Sequence, residues 1–552
     1  MRAWLLLLLS FGSYVVALGN PPAVAGGTVR KHLVYFRDKA GTPFSTARPE
    51  AFLSARALQR RSKQKIAIAP RDLPVAPAYI AQVRAVPGVQ LWYTSRWFNA
   101  AMISCDSATL AQVQALPFIN KAETLNRQPQ PVARPALTPA LPHKQATQSR
   151  RADYGLAYAQ AAQLDAVTMH DAGYKGEGMQ IAVFDAGFPS VDQLEAFKPL
   201  FSEKRLGSTF NFVDKTKAVF ERDIHGTSVL STLAANAPGY FVGTAPKATY
   251  HLYITEDAGS EHPVEEMNWL IAAEYADSVG VDIISSSLGY TTFDEPSVDH
   301  TYPDLNGRTA IGTRAATLAA RVGMVVLNSA GNDGDKPWRY IDVPADADSV
   351  IAVGAVDSLG VRAGFSSVGP TSDGRIKPDL MAMGYLTAVI RPSGVAVRGN
   401  GTSYACPVLA GMVAGLWQSS PALSAQQVIE TLKRSGSQAA TPDNERGYGV
   451  PSFVRAYQLA NPGKSLPTKP TGLMVYPNPT ASNELFLTIP EELLQKTLRV
   501  RVYDSRGALV LDRSMPEAGA EMRVRTGVLA RGTYTCTVTA DAVKRTVRFV
   551  RL

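Results

Sequence analysis

Val183-Phe184-Asp185-Ala186-Gly187 closes an apolar run, Met179–Phe184, with a carboxylate and a glycine. An unbroken apolar run of that length reads as a strand buried on both faces, and such strands belong to parallel sheets covered by helices. The pattern recurs at Thr249–Ile254, Asp282–Ser287, Met324–Asn328, Val350–Val356 and Leu386–Ile390. Helix-like stretches alternate with these runs, at Leu164–Ala172, Gly226–Ala235, Pro263–Val279, Gly312–Arg321 and Ser403–Gln418. The alternation predicts an α/β fold, a parallel sheet flanked by helices, over residues 152–460. Functional groups in such sheets gather at the carboxyl ends of the strands, which is where Asp185 stands.

Two further stretches offer Asp185 its partners. His225-Gly226-Thr227 opens one helix, and Gly401-Thr402-Ser403-Tyr404-Ala405 opens another. A serine hydroxyl is a poor nucleophile near neutral pH; it needs a base, and the base needs a group that fixes its tautomer. Ser403, His225 and Asp185 are the residue types for those three roles. Ser329-Ala330-Gly331-Asn332-Asp333 follows another strand. Acyl transfer places negative charge on a carbonyl oxygen, and the Asn332 amide with the Ser403 backbone N–H would supply donors for it. Singly, each residue has a plainer reading: Ser403 as a helix cap, Asp185 and Asn332 as turn residues. Their combination is what carries the chemistry. Cys406 lies inside a helix without the glycine turn and reads as a buried structural thiol.

The order Asp…His…Ser resembles that of the subtilisin-like (S8 family) serine peptidases. The resemblance implies a serine endopeptidase that hydrolyses protein and peptide substrates through an acyl-enzyme. It assigns Asp185, His225 and Ser403 to the triad and Asn332 to the oxyanion hole. It also carries substrate-binding roles onto Ser287, Leu288 and Gly289, and onto Ser329, Ala330 and Gly331. No cofactor and no catalytic metal are required. The family does use structural calcium, for which the loop Asp304-Leu305-Asn306-Gly307 has suitable oxygens. Departures from the family pattern are Ala186, Ser228, Cys406 and Val408, none of which carries the proton relay. Two rival classes are a binding protein on an inactivated scaffold and an esterase. The complete set of catalytic residues argues against the first, and the Ser287–Gly289 strand against the second.

At 552 residues the chain exceeds what one core supports. Its +9 charge invites a nucleic-acid partner, but the charge is unevenly placed. Residues 21–151 hold 19 Lys/Arg against 5 Asp/Glu, whereas residues 152–465 hold 23 against 34. Opposite signs suit two parts of one chain that dock on each other, so no nucleic acid is expected, and a monomer is. Arg2 with Leu5–Leu9 makes residues 1–19 a signal peptide, the mark of export. Residues 20–126 read as a small α+β unit in the place of the family's propeptide, an inhibitor and folding aid. Residues 127–151 form a Pro-rich linker ending in Arg150-Arg151, a target for processing. After a second linker, 461–472, residues 473–552 read as an all-β sandwich. Val475-Tyr476-Pro477-Asn478-Pro479, Val502-Tyr503-Asp504, Gly532-Thr533-Tyr534 and Lys544–Leu552 resemble the sorting domain of the type IX secretion system of Bacteroidetes. That resemblance implies the secretion machinery as a partner and a secreted or cell-surface location. Cys105, Cys406 and Cys536 fall in three separate regions and form neither a disulfide framework nor a zinc site.

Overall fold

Seven parallel strands form the central sheet, in the order Leu380–Met383, Ile351–Val356, Val325–Ser329, Ile283–Ser286, Gln180–Asp185, Thr249–Ile254, Leu206–Asn211. The computed structural model describes residues 28–125, 153–467 and 473–552, apart from 477, 481, 517, 518, 520 and 542. The chain enters the sheet with Gln180–Asp185 and builds to one edge. It then crosses back to Ile283–Ser286 and builds to the other. That reversal opens a crevice at the carboxyl ends of the two middle strands, just where Asp185 and Ser287 lie.

Side-chain alternation along each strand feeds two cores. Ile181, Val183, Leu327 and Val353 pack with the helices His225–Ala234 and Thr402–Ser419. Ala182, Phe184, Ile284 and Val326 pack with the helices Val264–Val279 and Ile311–Arg321. Burial on both faces explains why these strands are apolar throughout.

The N-terminal unit is a four-stranded antiparallel sheet in the order Gln90–Ser95, Ala100–Cys105, Arg30–Phe36, Ile119–Thr124. One face carries its own small core, with Val34, Ile103 and Phe118 under Val83 and Val113 of two helices. The other face gives Leu33, Tyr35, Trp97, Phe98 and Met102 to the core beneath helix Val264–Val279. The C-terminal unit has a three-stranded and a four-stranded sheet around Leu485, Leu487, Val500, Val524, Val538 and Phe549. No described helix is long and apolar enough to cross a membrane.

In the N-terminal unit a 3₁₀ turn, Pro49–Ala51, leads to the helix Ala55–Lys63, which starts where Ser54 Oγ accepts the Ala57 N–H at 3.2 Å. One element of the central domain differs from the expectation. The Leu386–Ile390 strand leaves the sheet; Thr387–Ile390 pairs with Ala396–Gly399 in a separate hairpin. Its place is taken by Leu380–Met383. The signal peptide 1–19, the linker 127–151 with Arg150-Arg151, and residues 468–472 of the second linker lie outside the described residues.

Candidate active site

Asp185 ends its strand fully buried, and its Oδ1 accepts the Ala186 N–H at 2.8 Å. His225 opens the neighbouring helix, and its Nδ1 donates to both carboxylate oxygens, at 2.9 and 3.0 Å. This bond holds the proton on Nδ1 and leaves Nε2 as an acceptor. The side chain of His225 keeps 32% of its surface open, while that of Asp185 keeps none. Burial depresses the imidazole pKa, but the Asp185 charge and hydrogen bond, with the Asp223 charge, outweigh it and raise the value.

Gly401 takes φ +153° and ψ 144°, a conformation that only glycine adopts readily, and so turns the chain sharply into helix Thr402–Ser419. Ser403 is the second residue of that helix. Its Oγ points to the Ser287 carbonyl at 3.4 Å, and no hydrogen bond joins it to His225 among the described residues. The Tyr404 ring nevertheless lies 6.0 Å from the imidazole, so the helix start and His225 share one cleft. A resting serine turned away from its base is common before substrate binds.

Asn332 is oriented by a residue that sequence reading passed over. Thr402 donates to Asn332 Oδ1 from its backbone N–H at 2.9 Å and from its hydroxyl at 3.1 Å. The amide oxygen is therefore committed, and Nδ2 is left to donate into the cleft. The motif Gly401-Thr402-Ser403 carried this signal, since Thr402 sits between the turn and the serine.

Ser287, Leu288 and Gly289 follow the strand Ile283–Ser286 directly, becoming more exposed towards Gly289. Ser287 Oγ donates to the Ser403 carbonyl at 2.8 Å, which ties the two segments together. Ser329, Ala330 and Gly331 form the facing wall. Their main chain is largely occupied: Ala330 N–H bonds Val353 at 2.9 Å, Ala330 O takes Asp342 N–H at 3.0 Å, and Gly331 O takes Ser367 N–H at 3.1 Å. The Ala330 side chain faces the core.

An acidic cluster lies close enough to Asp185 for Glu256 to feel its charge. Glu256, Glu261 and Glu265 bring carboxylate oxygens within 4.8 Å of one another. Burial, with the Asp185 and Asp257 charges, raises Glu256 to about 7, and burial, with the Glu256 and Asp294 charges, raises Glu261 to about 9. Glu256 also accepts the Tyr290 hydroxyl at 2.5 Å. Asp257 pairs with Arg222 at 3.3 Å, and Asp333 with Lys336 at 2.6 Å. The loop Asp304–Gly307 does not fit a calcium ion. Asp304 Oδ2 accepts the Thr301 N–H and hydroxyl, and Asn306 Oδ1 accepts the Arg308 and Thr309 N–H groups, so these oxygens close the turn itself. Cys406 is buried against the Ser286 carbonyl, and burial pushes its thiol up to about 12.

Comparison with known proteins covers three segments of the chain. Residues 176–449 match the subtilase family model. Subtilisin from Bacillus pumilus is 32% identical over 280 residues, covering 50% of this chain and 90% of that protein. The chain belongs to the subtilase family. Subtilisin NAT from Bacillus subtilis subsp. natto matches at the same identity, with 65% of its length covered. The human membrane-bound transcription factor site-1 protease is 29% identical over 320 residues, covering 54% of this chain and 27% of its own. Residues 31–137 match the peptidase S8 propeptide domain of Bacteroidota, and residues 474–551 a secretion-system C-terminal sorting domain. The sorting domain marks this subtilase as secreted or held at the cell surface.

In this subtilase the propeptide is anchored by arginines. Asp277, fully buried on helix Val264–Val279, meets Arg60, Arg61 at 2.7 Å and Arg96. Burial pushes its carboxyl up, but the three guanidiniums more than offset this and hold it below the ordinary range. Arg61 is shared with Asp72 at 2.8 Å, and Arg56 pairs with Asp282. Glu274 accepts the Arg96 and Trp97 N–H groups at 2.9 and 3.1 Å. Gly280 ends the helix at φ +93°, and a Cβ there would stand 2.7 Å from that of Arg56.

Proposed function

We propose that the chain is a secreted serine endopeptidase, made as an inactive precursor and cleaving peptide bonds through an acyl-enzyme. Ser403 rotates from the Ser287 carbonyl to His225 Nε2, gives up its proton and attacks the substrate carbonyl. Asp185 fixes the tautomer and stabilises the imidazolium. Asn332 Nδ2 and the Ser403 N–H receive the oxyanion. His225 then returns the proton to the leaving amine, and a water molecule repeats the sequence to release the acid. The main chain of Ser287–Gly289 pairs with an extended substrate, with residues 329–331 as the opposite wall. These steps use side chains and backbone alone.

The proposed organisation is a signal peptide at 1–19, a propeptide at 20–126 and a processed linker at 127–151. A catalytic domain at 152–460, a linker at 461–472 and a sorting domain at 473–552 follow. The reading takes the protein as a monomer exported by a signal peptide and then by type IX secretion. The observation that carries it is the bidentate His225–Asp185 bond beside Ser403, with the Asn332 amide nitrogen uncommitted. Ser403→Ala is expected to abolish casein hydrolysis and to leave the precursor at full length. Hydrolysis undiminished in that variant overturns the reading.

A further inference from the structure

The slot between Ser287–Gly289 and Ser329–Gly331 has a floor, and the floor carries an unneutralised carboxylate. Asp342 belongs to a third segment bonded to both walls. Its N–H donates to Ala330 O at 3.0 Å, and the next residue, Val343, exchanges hydrogen bonds with Tyr290 at 2.9 and 3.3 Å. The Asp342 side chain rises between two wall glycines. A Cβ on Gly289 would stand 2.6 Å from Asp342 Oδ2, and one on Gly331 would stand 2.4 Å from the same atom. Gly331 is also at φ +112°. Any side chain at either position would close the approach to Oδ2.

The two oxygens differ. Oδ1 accepts the Thr291 hydroxyl at 2.9 Å. Oδ2 has no donor among the described residues. Asp342 is only 7% exposed, and no Lys or Arg lies within ion-pair distance among the described residues. Three neighbouring acids are answered: Asp257 by Arg222, Asp333 by Lys336, and Glu256 by the Tyr290 hydroxyl. A buried carboxylate without a cation is costly, and burial, with the nearby Asp333 charge, accordingly raises Asp342 to about 7. A cation delivered by a ligand removes that cost.

We propose that Asp342 is the specificity residue of this site, and that the slot takes a lysine or arginine side chain from the residue on the acyl side of the scissile bond. The apolar stem enters between the two walls, and the charged end meets Oδ2 where that oxygen lies against the two glycines. This rests on the endopeptidase reading above.

The test uses the processed enzyme. Labelling of Ser403 by a fluorophosphonate reports the acyl-transfer site independently of specificity. Peptides differing only at the residue before the scissile bond are then compared by kcat/KM. Arg and Lys are expected to exceed Leu and Phe by about ten- to a hundredfold, the range of one charged hydrogen bond. Asp342→Asn keeps the Thr291 bond and should bring the Arg-to-Leu ratio down by the same factor. A measurement without a variant is competition by p-aminobenzamidine against neutral benzamide, with the amidine at least tenfold tighter. A labelled enzyme that prefers Leu or Phe, or that binds both aryl compounds alike, overturns the assignment while leaving the endopeptidase standing. Absence of both labelling and hydrolysis defeats the endopeptidase reading, and this one with it.

Discussion

At the scale of the residue, the site divides into groups that act and groups that hold them still. Asn332 is the clearest of the groups proposed to act, because Thr402 commits its oxygen and frees its nitrogen. Asn332→Ala should therefore lower kcat with little change in KM. Loss of the corresponding donor in subtilisin costs about a hundred- to a thousandfold in kcat, and a similar fall is expected here. A loss confined to KM would show that the amide binds substrate without stabilising the transition state. His225 gives a second test. Burial depresses its pKa, but Asp185 and then Asp223 raise it above the ordinary 6.5. Only neutral imidazole accepts the serine proton, so activity is present above the raised pKa and is lost as pH falls through it. The acid limb of kcat/KM should have its midpoint above 6.5. Asp223→Asn keeps the acceptor for the His225 N–H, which now bonds Asp223 at 2.8 Å, but removes a charge. Its midpoint should fall; a pH–rate profile in which it does not move would contradict this electrostatic account.

At the scale of the element, what the sequence disclosed followed burial. Strands buried on both faces, such as Thr249–Ile254 and Ile351–Val356, announce themselves by unbroken apolar runs. The edge strand Leu206–Asn211 does not, because its half-exposed LGSTFN needs no such run. Leu380–Met383 is fully buried but only four residues long, too short to show a period. Thr387–Ile390 is the opposite case: it is apolar and buried, yet it packs as a hairpin against helix His225–Ala234 and Gln160. Local pattern fixes whether a segment is buried, not which partner buries it. The site shows the same division. Asp185, His225 and Ser403 were legible because each stands at an element end with a distinctive neighbour. Asp342 was not, because Tyr340-Ile341-Asp342-Val343 carries no motif. Its place under the slot comes from long-range pairing with Ala330 and Tyr290, which no local rule encodes.

At the scale of the whole molecule, charge works in two ways that salt separates. The excess of Lys/Arg over residues 21–151 faces an acidic excess over residues 152–465. Exposed charges of this kind attract at a distance and are screened over roughly 8 Å at physiological ionic strength, so they govern how fast the propeptide finds its domain. The Asp277 cluster is different: Arg60 and Arg61 are 5% and 1% exposed once docked. Salt reaches such pairs poorly, and they govern how slowly the propeptide leaves. Removing one partner of a buried charge pair costs about 2–5 kcal/mol, largely as faster dissociation. Asp277→Asn would leave three guanidiniums facing a neutral amide. With residues 20–126 added to the processed enzyme, rising salt should slow association and change dissociation little. The Asp277→Asn enzyme should release the propeptide at least about thirtyfold faster, with association nearly unchanged. Stopped-flow binding and the onset of inhibition measure both rates. Equal salt effects on the two rates, or an unaltered dissociation rate in the variant, would place the hold of the propeptide elsewhere, in the apolar contact that Trp97, Phe98 and Met102 make beneath helix Val264–Val279.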